Sequence, residues 1–94
     1  MLAMELIPAI RKKLAEADAV RGTAKASGYR AALWRSQQYA GRVDHTVEDL
    51  RRYCVESLMP RRFLEEDDYL LGYREGFQAV LEEVRRVEAA SRET

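Results

Sequence analysis

Apolar residues recur along this chain in steps of three and four, the period of an α-helix. Leu6, Ile10, Leu14, Ala17 and Val20 form the first stripe. They predict a helix over residues 8–20, with Pro8 in the first turn, where a missing N–H costs nothing. Gly22 and Thr23 interrupt the pattern, and Thr23 is placed to cap the second helix. The second stripe is Ala26, Tyr29, Leu33, Ser36, Ala40, Val43, Val47, Leu50, Cys54 and Ser57. Its alternating steps are those of a heptad seam and predict a long helix over residues 24–59, ended by Pro60. An alternative lies inside it. Gly41 can close one helix, and the polar stretch Asp44, His45, Thr46, Val47, Glu48, Asp49 can cap a fresh one. The stripe crosses this point without losing phase, which favours one continuous or mildly kinked helix. Leu70, Tyr73, Phe77, Val80, Val84 and Val87 predict a third helix over residues 64–90. Glu65, Glu66, Asp67 and Asp68 stand at its start and Arg85 and Arg86 near its end, both favourable to the helix dipole.

A short connection over residues 60–63 makes the two long helices antiparallel neighbours. The expected architecture is therefore all-α: one domain spanning residues 1–94, an antiparallel helical hairpin with a short N-terminal helix. A seam of 35 residues is roughly 50 Å long. A hairpin that elongated does not cover itself, so a homo-oligomer is expected. The packing residues are Tyr29, Leu33, Val43, Val47, Leu50, Tyr73, Phe77, Val80 and Val84. Gly72 and Gly76 lie on one face and, with Ala79, make a flat strip for another helix to approach. That helix is either the first or second of the same chain or one from another protomer.

Composition supports folding. Hydrophobic residues make up 47% and charged residues 34%, with only two prolines, and the net charge of zero argues against disorder. The zero hides an asymmetry. Residues 1–42 hold eight Lys/Arg against three acids, and residues 43–94 hold eight against thirteen. Cys54 is the single cysteine and His45 the single histidine, which excludes an intrachain disulfide and the usual structural zinc sites. A cytoplasmic, reducing setting is expected. The first ten residues do not read as a signal peptide, since Glu5 and Pro8 interrupt them and the basic run comes after them. No run reaches the ~20 apolar residues of a membrane span.

The richest chemistry lies in residues 19–43, which contain no acid. Arg21, Lys25, Arg30, Arg35 and Arg42 are interleaved there with Tyr29, Trp34 and Tyr39. Cations beside aromatic rings suit phosphate and base recognition, or an acidic protein face. The competing reading is structural. In the antiparallel hairpin Arg42 would lie near Glu82 and Glu83, and Arg35 near Glu88, so the oppositely charged halves would neutralise each other. That leaves Arg21, Lys25, Tyr29, Arg30 and Trp34 as the candidate partner-binding residues. No phosphate loop, nucleophile with an ordered base, or definable acid pair is present, so a non-enzymatic protein without cofactor or metal is expected.

The segment Asp68-Tyr69-Leu70-Leu71-Gly72-Tyr73-Arg74-Glu75-Gly76-Phe77, continuing to Val84, resembles that of many short helical proteins encoded by bacteriophages. The resemblance covers about a fifth of the chain and carries no defined site with it. It implies a virion or assembly part, or a small binder of host machinery. The function expected is thus binding and assembly, with a host or virion protein as partner. The alternatives are capture of a nucleotide or nucleic acid and a purely structural role.

Overall fold

The second stripe is cut in two. The computed structural model describes residues 1–19, 22–59 and 67–92. Within them lie four α-helices, α1 (Ile7–Ala17), α2 (Ala24–Ala40), α3 (Val47–Ser57) and α4 (Asp68–Arg92), after a 3-10 turn over Ala3–Leu6. The all-helical class agrees with the apolar periodicity. The single long helix over residues 24–59 does not form. Val20, Arg21, the connection over residues 60–63 and the expected start of the last helix at Leu64, Glu65 and Glu66 lie outside the described residues.

Local chemistry accounts for most of the boundaries. Pro8 occupies the first turn of α1. Gly22 takes a positive φ of 95°, a conformation that strains any residue with a Cβ. Thr23 then caps α2, its Oγ1 accepting from the Ala26 N–H at 3.1 Å. Asp67 opens α4 in the same manner, Oδ1 accepting from the Leu70 N–H at 2.9 Å.

The break between α2 and α3 has both a local and a distant cause. Thr46 and Asp49 form a reciprocal capping box: Thr46 Oγ1 accepts from the Asp49 N–H at 3.1 Å, and Asp49 Oδ2 accepts from the Thr46 N–H at 2.9 Å. These bonds to the ionised form hold the Asp49 carboxyl below the usual aspartate range. The distant cause is the N-terminus. The Ala3 N–H donates to the His45 carbonyl at 2.9 Å and the Val47 N–H to the Met1 carbonyl at 3.0 Å. Leu2 and Thr46 thereby make a single antiparallel bridge. Backbone groups released by ending the helix thus find partners, as buried or half-buried ones must. Val43, expected in the seam, stands 75% exposed in the intervening loop. Replacing Thr46 by Ala removes one half of the box. It is expected to cost about 1 kcal/mol, read as a melting temperature lowered by roughly 4–8 °C.

The break reverses the chain and changes the pairing. α1 and α2 are antiparallel: Asp18 lies 3.8 Å from Arg30 and Ile7 packs near Gly41. α3 turns back along α2, where Ser36 meets Cys54 and Tyr39 stacks on Tyr53. α3 and α4 form an antiparallel hairpin, tied by Arg51 to Glu88 and by Tyr53 to Phe77. The main partner of α4 is nevertheless α2, and those two run parallel, since Lys25 meets Gly72 while Tyr29 and Ala32 meet Gly76. The charge pairs expected from an antiparallel α2–α4 register are replaced accordingly. Glu83 faces Lys13 at 3.5 Å, Glu88 holds Arg51, and Arg35 lies over the Tyr73 ring at 5.8 Å. Principal extents of 42 × 32 × 25 Å leave no place for a rod of about 50 Å.

Glycine makes the parallel contact possible. A Cβ on Gly72 would overlap the Lys25 carbonyl oxygen, and one on Gly28 would overlap the Tyr69 carbonyl oxygen. One on Gly76 would lie 2.6 Å from the Ala32 Cβ and 2.7 Å from the Tyr29 oxygen. The strip formed by Gly72 and Gly76 therefore faces α2 of the same chain, and Gly28 answers it from the other side. Around this crossing Leu6, Ile10, Leu33, Leu50, Cys54, Phe77, Val80 and Val84 close into one core. Burial pushes the Cys54 thiol up to about 11, which makes it a small apolar core group and not a nucleophile.

Candidate functional site

The acid-free stretch of the sequence becomes α2, and its five candidate residues separate. Arg21 lies outside the described residues. Lys25 and Tyr29 turn toward α1 and α4. They line a small cavity of about 310 Å³ with Ala17, Thr23, Ala26 and Glu75, and Lys25 pairs with Glu75 at 3.3 Å. Tyr29 is half-buried there, and desolvation pushes its hydroxyl above the usual tyrosine range. Arg30 and Trp34 lie on the opposite, outward side. Arg30 reaches Asp18 of α1 at 3.8 Å.

Trp34 is the largest side chain on that outer side and is 53% exposed. Its position follows from helix geometry. Ala32 and Ser36, buried against α4 and α3, are each two residues away, which is about 200° around the helix. Trp34 therefore points away from the core, one turn from Arg30 and from Gln38. An indole left in water forgoes a large burial gain, so a partner that covers it has much to recover.

Most of the residues expected to pack along the seam or against another protomer are buried within the chain. Leu33, Val47, Leu50, Gly72, Gly76, Phe77, Val80 and Val84 are buried, and Tyr73 is half-buried against Phe77. The elongated, half-covered hairpin that called for a second copy does not form.

Two further features emerge only in three dimensions. The first is an aromatic array. His45 lies 3.9 Å from Tyr39, Tyr39 stacks on Tyr53 at 4.4 Å, and Phe77 meets Tyr53 and Tyr73 edge-on at 5.8 and 4.8 Å. Tyr69 and Arg35 extend it through Tyr73. His45 donates from Nδ1 to the Tyr39 carbonyl at 2.8 Å, which fixes its ring against the array. Burial pushes the Tyr53 hydroxyl above its ordinary range. The second is a groove of about 440 Å³ where α3 and α4 meet the N-terminus, with Met1, Val47 and Val87 below Arg51 and Glu88. The Arg51–Glu88 bond of 2.6 Å, reinforced by Glu48 at 2.7 Å, pairs three of the groove's polar lining residues with one another.

Among the described residues no group of three or more His, Cys, Asp or Glu is placed to hold a metal ion, and no helix is long and apolar enough to cross a membrane. Comparison of the chain with protein-family models, curated proteins and solved structures returned no match.

Proposed function

We propose that this chain is a non-enzymatic helical binding module that recognises a partner protein through the outer face of α2, with Trp34 as the anchor. The observation that carries the reading is the exposed indole in the middle of a helix of 17 residues that holds no acid. Tryptophan and arginine are the residues on which interface energy concentrates. The resemblance of residues 68–84 to short phage-encoded proteins supports a host or virion protein as that partner, met in the host cytoplasm. Self-association through the same face is a further form of this reading.

Selection from a displayed library of random peptides tests it. Enriched binders should lose affinity by about 30-fold or more for Trp34→Ala, the equivalent of at least ~2 kcal/mol. The melting transition of that variant should stay within about 1 kcal/mol of the parent, because the side chain lies outside the core. Binders indifferent to Trp34, or no enrichment at all, would reject the reading.

The acid-free α2 also favours a second reading, capture of a nucleotide or nucleic acid. Titration with a single-stranded oligonucleotide, monitored by the emission of Trp34, checks it. Such binding should weaken by orders of magnitude between about 50 and 200 mM salt, and a salt-insensitive or absent response rejects it.

A further inference from the structure

We infer that the cavity where α1, α2 and α4 meet is a binding site for a small organic cation, an amine or quaternary ammonium with a short apolar body. The site lies apart from the outer face that carries Trp34, and it does not depend on that face binding a protein.

The cavity exists because small residues meet where three helices diverge. Ala17 ends α1 and Ala26 lies in the first turn of α2. Their methyl groups leave open a space of about 310 Å³. At about 30 Å³ per water-sized group, that is room for roughly ten non-hydrogen atoms. The Tyr29 ring forms another wall. Thr23 is already engaged, its hydroxyl accepting from the Ala26 N–H. The polar groups that remain are the Lys25–Glu75 pair and the Tyr29 hydroxyl, which has no hydrogen-bond partner among the described residues. An apolar space with a few polar groups to orient the occupant is the usual form of a small-molecule site.

Charge selects the class of ligand. Desolvation is the main cause that raises the Tyr29 hydroxyl; Lys13 acts against it, and Glu16, Glu75 and Glu82 add to it. Three carboxylates therefore bear on the Tyr29 side chain. Lys13 is committed to Glu83 at 3.5 Å, whereas Glu16 and Glu82 form no ion pair among the described residues. The Lys25–Glu75 pair stands at the cavity with both side chains roughly half exposed. A pair of that kind contributes little, so an incoming ammonium can replace Lys25 at Glu75. The bound cation then meets the face of the Tyr29 ring, which attracts positive charge, and the surplus of negative charge left by Glu16 and Glu82. An anion would meet the same carboxylates as repulsion. A divalent metal fits less well, since it needs several converging oxygen ligands, and no group of three such residues is so placed among the described residues.

The closing experiment titrates the isotope-labelled full chain with benzylamine, benzyl alcohol and benzoate at constant ionic strength and follows the amide resonances by NMR. Benzylamine should bind with a dissociation constant on the order of 1 mM and shift the amides of Ala17, Ala26 and Glu75 most. Benzyl alcohol, of nearly the same shape but uncharged, should bind about fivefold more weakly, and benzoate more weakly still. Glu16→Gln with Glu82→Gln should weaken benzylamine about threefold or more. Both positions are exposed, so the fold is retained. Lys25→Gln removes the competing internal ammonium and should tighten benzylamine by about the same factor. Opposite signs for the two variants separate a cation site from a general loss of structure. Equal binding of the amine and the alcohol would mean an apolar cleft without cation selectivity and would overturn the proposal. So would indifference to the paired glutamate variant, shifts confined to residues away from the cavity, or no saturable response to benzylamine.

Discussion

Gly72→Ala is expected to destabilise the domain by about 2–3 kcal/mol, near the upper range for overpacking a tight contact, and to lower its melting temperature by roughly 10–20 °C. The sign is the informative part. At an ordinary helical site the same exchange stabilises by about 0.8–1 kcal/mol, because alanine gives up less backbone freedom than glycine. Here the new methyl would overlap the Lys25 carbonyl oxygen. That atom belongs to the backbone of α2 and cannot step aside as a flexible side chain would. Relief requires α2 and α4 to move apart, which opens space beside Gly28, Ala32 and Gly76 along the whole crossing. Gly41→Ala is the matched control. Its φ of −75° suits any residue, and its Cβ would meet the Gln37 oxygen at 3.4 Å, an ordinary contact. That variant should be neutral or stabilised by up to about 1 kcal/mol. Parallel thermal melts of the two variants decide the matter. Stabilisation by Gly72→Ala would show that α2 and α4 do not approach each other as described.

Gly72 and Gly76 were legible as a contact strip because glycines four apart inside a helix cost stability unless something approaches them. Their partner was not legible. It depends on the direction of α2 relative to α4, and that direction depends on whether the chain turns at Gly41. The stripe argued against a turn, since Ala40, Val43, Val47 and Leu50 keep helical phase across it. Phase continuity proved a coincidence of spacing: Val43 faces water, while Val47 and Leu50 restart on the core side of a new helix. The capping box of Thr46 and Asp49 is local and readable. The balance is tipped by the pairing of Ala3 with His45 and of Val47 with Met1, a contact across more than forty residues that no local pattern announces. The candidate site divides along the same line. Arg30 and Trp34 follow from the acid-free composition of α2, and Trp34 stays exposed while Arg30 reaches Asp18 of α1. Lys25 and Tyr29 share that composition but turn toward α4, where an exposed pair joins Lys25 to Glu75 and Tyr29 is half-buried, because neighbours on α4 decide which way they face. Tyr69, Tyr73 and Phe77 of the aromatic array recur four residues apart on α4, but Tyr39 and Tyr53 join them from two other helices, which no periodicity announces.

Phe77→Ala is the second substitution expected to have a large effect, about 3–5 kcal/mol. Phe77 is fully buried and is the largest such side chain among the described residues. Its ring meets Tyr53 and Tyr73 edge-on, with interplanar angles of 73° and 84°, contacts worth ~0.5–1.5 kcal/mol beyond area burial. Truncation therefore removes both the apolar filling between α3 and α4 and the ring that joins two tyrosines. Those tyrosines are half-buried and anchored by Tyr39 and Arg35, so they are poorly placed to collapse into the space. Incomplete collapse puts the loss toward the upper end of the range. A domain of this size has roughly 5–14 kcal/mol in total, so the variant should sit near the edge of folding. Denaturant titration should show a sharply lower midpoint. Near-ultraviolet circular dichroism, dominated by the tyrosines of the array, should change before helix content does. Leu71→Ala, on the same helix but 40% exposed, should shift stability by about 0.5 kcal/mol or less. Equal losses for the two variants would mean that α4 does not present Phe77 to the core, and the aromatic array would fall with it.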